Sequence, residues 1–346
     1  MEKNTKMITR EEVAEHAGVS TATVSNVLNN VPKVGADVRL KVLRSIEQLG
    51  YIPNSSAQNL AFRRREVEHK IRTHNIGCII YSGFNKFNQP ENSDLMEEID
   101  REIRRMKHHL YFYYRSTELS EDPMLFNKVV NRNNIDGLIV ISSQLEGILE
   151  ETKKRIKNII SIREPLGDDD KTDCVSFDEY GAVYNGVRHL VQLKHKRIVL
   201  VINPDSSEKR NMMRINGYKD ACKSCGINYE ESFIQRGCSS MKKSLDSAPT
   251  AVIISHIEYT SGILDAIKDF GLSVPDDISV IAIGNYKMLE ELKPEITNMQ
   301  LNTKDIAKIT VNRLVEKINN PGMPVFKIVM PYELIERGSV RQVVSK

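Results

Sequence analysis

The chain has 346 residues, 40% hydrophobic and 27% charged, the make-up of a globular protein with room for two or three compact units. No run approaches the ~18 consecutive apolar residues of a membrane span, and the opening Met-Glu-Lys-Asn-Thr-Lys has no apolar core of a secretory signal, so a cytoplasmic protein is expected. The net charge of +3 conceals an asymmetry: residues 1–65 carry ten Lys and Arg against six Asp and Glu, leaving the remainder slightly acidic, and a basic N-terminal segment suits a phosphate partner.

Thr9 and Glu12 have capping-box spacing, so a helix is predicted from Arg10. Val13, Ala14 and Ala17 fall on one side of it, and Gly18 can end it in a left-handed conformation. Ser20 can cap a second helix in which Val24, Val27 and Leu28 form a buried stripe. Thr21, Ala22, Ser25 and Asn26 then face away. Two short helices joined by a three-residue turn containing glycine follow the helix-turn-helix plan. The methyls of Thr21 and Ala22 can touch thymine, and Asn26 can pair with adenine; the same face also suits a helical bundle that is merely solvated. A polar loop carrying Lys33 follows. Asp37–Leu49 repeats Val38, Val42, Ile46 and Leu49 at helical spacing, and Gly50 and Pro53 mark its end.

Val13–Asn29 (Val-Ala-Glu-His-Ala-Gly-Val-Ser-Thr-Ala-Thr-Val-Ser-Asn-Val-Leu-Asn) and its continuation Val38–Asn54 resemble the opening of the LacI/GalR family of bacterial transcription regulators. The resemblance implies operator contacts from Thr9, Ser20, Thr21, Ala22, Thr23, Ser25, Asn26, Asn29 and Lys33. It also implies a hinge helix over 54–60 that orders on DNA, with Leu60 as a minor-groove wedge beside Ala57 and Asn54. Read from the residues alone, Leu60 is an ordinary linker position. Many relatives carry Arg where this chain has Asn26, so an operator half-site that differs there is expected. The connection from Leu60 to Ile76 is several residues longer than is usual in the family, and includes Arg63-Arg64-Arg65.

From Ile76 onward the pattern changes. Short continuous apolar runs start at Ile76, Leu138, Ile198, Ala251 and Ile278, separated by helical stretches at 94–108, 124–133, 145–157, 180–193, 213–225 and 259–270. This alternation predicts an open α/β architecture of parallel sheets, in which ligands bind at the carboxyl ends of strands. The resemblance implies the same: an N-terminal all-α DNA-binding domain (1–53), a hinge and linker (54–75), and a two-lobed periplasmic-binding-protein-like core (76–340) joined by three crossovers. The expected lobes are 76–172 with 300–327, and 173–299 with 328–340. Further matches are Cys174-Val-Ser-Phe-Asp178-Glu-Tyr-Gly-Ala, Arg214-Ile-Asn-Gly-Tyr218, Gly271–Ile281 and Pro331–Arg337.

In the family, residues at the Asp178 and Arg214 positions face a ligand between the lobes. Each also has a structural alternative, Asp178 as a helix cap and Arg214 as an ion-pair partner. Tyr81, Phe84, His256 and Asn285 sit at other strand mouths and complete the candidate effector set. The family's Asn-Asp is replaced here by His256-Ile257, and its Phe-Asp-Asp by Ile283-Gly284-Asn285. An acceptor carboxylate for sugar hydroxyls is thereby missing at Gly284, so a sugar ligand does not follow.

Five cysteines, Cys78, Cys174, Cys222, Cys225 and Cys238, are an odd number in a chain expected to be cytoplasmic, which predicts reduced thiols. Cys222-x-x-Cys225 lacks the second pair that a zinc site needs, so no metal is expected. No phosphate loop, Gly-x-Gly-x-x-Gly or Gly-x-Ser-x-Gly elbow is present, so neither an enzyme nor a cofactor is expected. The sequence reading is a homodimeric repressor that binds a pseudo-palindromic duplex operator and is modulated by a small molecule between the lobes. The alternative is a regulator with a degenerate pocket, controlled by a protein partner or by no ligand.

Overall fold

In a computed structural model the chain divides into two compact units, Met1–Ile71 and Arg72–Lys346. The structure describes residues 8–28, 34–49, 72–80, 90–141, 145, 147–167, 171–204, 206–238, 241–285 and 288–343.

Among the described residues the first unit holds three helices, α1 (Arg10–Ala17), α2 (Thr21–Leu28) and α3 (Ala36–Leu49). The predicted capping box is present: the Thr9 backbone N–H donates to Glu12 Oε2 (2.7 Å), and the Glu12 N–H donates to Thr9 Oγ1 (3.3 Å). Gly18 closes α1 at φ 66°, and the Val19 N–H reaches back to the Ala14 carbonyl at 3.0 Å. Val13, Ala14, Val24, Val27 and Val42 make the buried centre, with Ile8, Leu28, Ile46 and Leu49 around it. So small a core depends on each helix starting and stopping in the right place.

Among the described residues the second unit contains two six-stranded sheets. Sheet one runs β11 (Lys327–Met330), β5 (Asp173–Phe177), β4 (Ile159–Arg163), β3 (Gly137–Ile141), β1 (Asn75–Ile80), β2 (His109–Arg115), with every pairing parallel. Sheet two runs β12 (Glu333–Ile335), β10 (Thr297–Gln300), β9 (Ser279–Ile283), β8 (Ala251–Ile254), β6 (Ile198–Ile202), β7 (Ile234–Arg236), parallel except for the antiparallel edge strand β12. The central strands β1, β3, β6, β8 and β9 are buried nearly throughout, as strands covered by helices on both faces must be.

The helices between strands are α4 (Pro90–Arg105), α5 (Ser116–Glu121), α6 (Pro123–Val129), α7 (Leu149–Arg155), α8 (Glu179–Gln192), α9 (Glu208–Ser224), α10 (Met241–Leu245), α11 (Thr260–Asp269), α12 (Met288–Glu291) and α13 (Thr303–Asn319). Helices α8 and α9 cross closely because residue 217 is glycine: a Cβ there would lie 2.4 Å from the Tyr180 carbonyl oxygen. The chain passes between lobes three times, after Phe177, after Gln300 and after Met330.

Two of the expected lobe boundaries move. The expected break at 172/173 lies one strand too early, because β5 pairs with β4 and β11 inside sheet one. The return at 327/328 moves past Met330 for the same reason. Asp173 provides the physical cause. Fully buried, it is paired with Arg313 (3.0 Å) and Lys317 (3.2 Å) on α13 and accepts the Phe326 N–H (2.9 Å) at the entry to β11. That carboxylate ties β5, α13 and β11 into one lobe. Strands β2, β4, β5, β7, β10, β11 and β12 are additions to the five expected runs; β2 lies at a sheet edge and is only half-buried, so its apolar signal is weak.

Gly18→Ala places a side chain in left-handed backbone with open space around it, so its cost is conformational, about 1–2 kcal/mol. Hydrogen exchange of the Val24 and Val27 amides in the full-length protein is expected to accelerate about 5–30-fold; unchanged rates would show that the turn tolerates a side chain.

Candidate DNA-reading face and interlobe site

On α2, Thr21, Ala22 and Asn26 are exposed, with Thr23 and Ser25 half-buried. Ser20 and Thr9 are also exposed, but their side chains already have work. Ser20 Oγ accepts the Thr23 N–H at 3.1 Å and lies 2.9 Å from Thr23 Oγ1, while Thr9 caps α1. The helix therefore presents two methyl-bearing residues and one amide on the side opposite Val24 and Val27, residue types able to meet base edges. The candidates Asn29, Lys33, Asn54, Ala57 and Leu60 lie outside the described residues.

In the core, the strand ends of the two lobes meet in a cluster of charge. Glu179, the first residue of α8 after the first crossing, is 3% exposed, and Arg214 on α9 is 2% exposed. Glu179 Oε2 accepts from Arg214 Nε at 2.8 Å, with Arg214 Nη2 at 2.7 Å. Its Oε1 accepts from Arg210 Nε and Nη2 at 3.2 and 3.1 Å, with the Tyr332 hydroxyl at 3.5 Å. Arg214 Nη1 donates to Ser255 Oγ at 3.4 Å. Arg163, at the end of β4, sits over the Phe177 ring at 5.3 Å, and Phe177 meets Tyr332 edge-on. Burial alone raises the Glu179 carboxyl, but the Arg214, Arg210 and Arg163 guanidiniums outweigh it and bring the group down to about 2.

His256, after β8, feels the same field. Burial and then the charges of Arg214, Arg210 and Arg163 depress its imidazole to about 3, so it is neutral near pH 7. Its Nδ1 makes no hydrogen bond among the described residues and lies 3.7 Å from Glu258 Oε2.

The expected effector set is thus only partly brought together. Arg214 and His256 lie in one electrostatic cluster, but Arg214 has its ion-pair role with Glu179. Asp178 takes the capping role: its Oδ1 accepts the Gly181 N–H at 2.8 Å at the start of α8. Asn285 is buried, and its side chain bonds both ways to the Leu301 backbone, the Leu301 N–H reaching Asn285 Oδ1 at 2.7 Å and Asn285 Nδ2 donating to the Leu301 carbonyl. Its amide thereby clamps the second crossing and is withdrawn from a ligand contact. Tyr81 and Phe84 lie outside the described residues. Sequence reading overlooked Glu179, Arg210, Glu164 and Tyr332. One signal was available: Arg210 and Arg214 are four residues apart on one helix, and two guanidiniums on one buried face require an anion between them.

The family profile described as bacterial regulatory proteins, lacI family, matches residues 9–54, and that of a periplasmic binding protein-like domain matches residues 187–340. The chain thus carries a DNA-binding domain of the lacI family followed by a periplasmic-binding-protein-like domain. Catabolite control protein A of Priestia megaterium is 26% identical over 344 residues, covering 96% of this chain and 99% of that protein. The ribose operon repressor of Escherichia coli K12 is 25% identical, covering 96% and 100%. Among solved structures, the lac repressor dimer bound to operator and an anti-inducer is 23% identical, with a TM-score of 0.77 over 97% of this chain and 100% of that one. The complex of the regulator CelR with cellobiose has a TM-score of 0.68 at 21% identity, over 96% and 99%. These lacI-family relatives are transcription regulators, and no helix among the described residues is long and apolar enough to cross a membrane.

The charge cluster makes two pH limbs. In the unfolded chain Glu179 takes up a proton near 4.5, which the folded protein refuses until about 2, so its contribution is complete above 4.5 and is lost as pH falls toward 2. The unfolded chain protonates His256 near 6.5 and the folded one near 3, so stability also falls between those values. Urea denaturation at a series of pH values is expected to show a flatter limb from 6.5 to 4.5 in His256→Gln. Glu179→Gln should lose roughly 3–5 kcal/mol at pH 7, because two buried guanidiniums are left without their carboxylate. A Glu179→Gln protein as stable as wild type would refute this account of the cluster.

Proposed function

We propose that the protein is a cytoplasmic, sequence-specific repressor that binds a pseudo-palindromic operator as a homodimer, with α2 in the major groove of each half-site. The observation that carries the reading is the exposed Thr21, Ala22 and Asn26 face on a helix whose other side is locked by Val24 and Val27. Asn26 supplies a neutral amide for adenine in place of a guanidinium for guanine. Residues 54–60 act as the hinge, with Leu60 as the wedge. A small molecule between the lobes shifts operator affinity by the difference in its affinity for two lobe arrangements.

A second reading has a specific observation in its favour. Asp178, Arg214 and Asn285 are each engaged inside the protein, by a helix cap, a carboxylate and a backbone segment respectively. This supports control by a protein partner, or by no ligand, over a sugar held by those groups. A thermal-shift screen of small metabolites separates the two, since a ligand that binds only the folded core raises its melting temperature by mass action.

Selection from random duplex DNA is expected to return an inverted repeat, and Asn26→Ala should relax preference at a single symmetric position, costing about 1–3 kcal/mol per half-site. Enrichment of no sequence by the wild-type protein would sink the regulator reading. Leu60→Ala is expected to weaken specific binding while leaving the melting temperature of the core unchanged, measured by fluorescence anisotropy beside calorimetry; wild-type affinity would remove Leu60 from the interface.

A further inference from the structure

Glu164 directly follows β4 and belongs to lobe one, whereas Ser207 and Arg210 open α9 in lobe two. The Ser207 hydroxyl donates to Glu164 Oε1 at 2.9 Å, and Arg210 Nε lies 3.7 Å from the same oxygen. These side chains are largely buried, Arg210 12% and Glu164 17% exposed. The pair differs in kind from Arg101–Glu97 on α4, whose members are 58% and 71% exposed. Water and salt screen the latter to near nothing, and they reach the former far less. Arg210 is moreover already held in place by Glu179, whose other oxygen is held by Arg214. A guanidinium fixed in advance loses little side-chain entropy when it meets a second carboxylate. Glu179 itself stands beside the first crossing and is met by Tyr332 at the third. The chain of contacts therefore runs from lobe one, through Glu164 and Arg210, to the charge cluster at the crossings.

We infer that Glu164, Ser207 and Arg210 form an internal latch that keeps the two lobes closed on one another without any small molecule. The buried Glu179 carboxylate occupies the arginine forks from within, and Glu164 fastens one of those arginines across the cleft. A regulatory signal then acts by breaking or bypassing this bridge. The consequence for DNA affinity rests on the operator-binding reading above; the closure itself rests on the core alone.

Small-angle X-ray scattering of the full-length protein without added ligand tests the latch, comparing wild type, Glu164→Ala and Glu164→Gln. Glu164→Ala is expected to show a larger radius of gyration. Glu164→Gln, whose amide oxygen can still accept from Ser207, should fall between it and wild type. Superimposable scattering from folded samples of all three overturns the latch, and if Glu164→Ala fails to fold, the comparison of Glu164→Gln with wild type decides. Binding of the same proteins to the selected operator is the second arm, with a change of about tenfold expected for the expanded variant. An expanded variant with wild-type affinity overturns the link between closure and DNA. A wild-type protein that binds no duplex defeats the operator reading, while the scattering arm still decides the latch.

Discussion

A carboxylate is buried at the point where the chain first crosses between lobes, and the elements around it are arranged to neutralise it. Glu179 is almost without water contact, and an isolated charge in that place is too costly to persist. It is stable there because Arg210 and Arg214 bring two guanidiniums to it from one face of α9. For that face to reach it, α9 must lie close on α8, which the bare backbone at Gly217 allows. The crossing, the helix pair and the sign of the field at His256 thus follow from one requirement.

The DNA-reading unit follows a different logic, in which short polar side chains divide two tasks. Thr9, Ser20 and Thr23 are engaged with the backbone and one another at the helix starts, where their small size and local hydrogen bonding are most useful. Thr21, Ala22 and Asn26 remain on the outer side. With so few residues in its core, the unit relies on these local caps and on the glycine turn to hold its two short helices at the angle that exposes them.

Between the lobes, a residue's position in the motif and its work in the structure diverge. Asp178 and Asn285 follow strands β5 and β9 at ends that open toward the crossings, as the alternating pattern predicts, while Arg214 lies on α9. Yet each meets a need of the protein's own backbone or charge.

The helix-turn-helix, the alternating α/β core and its buried strands were legible in the sequence because they rest on local signals: Thr9 with Glu12, Gly18, and the spacing of Val24 with Val27. The lobe boundaries were legible only to within a strand. Asp173–Phe177 carries no mark of which sheet it joins until Arg313, Lys317 and Phe326, about 140 residues away or more, converge on Asp173. Which partners Glu179, Arg210 and Glu164 meet was decided by tertiary structure, since a charged side chain on an isolated helix favours water and is drawn inside only when partners from separate segments surround it.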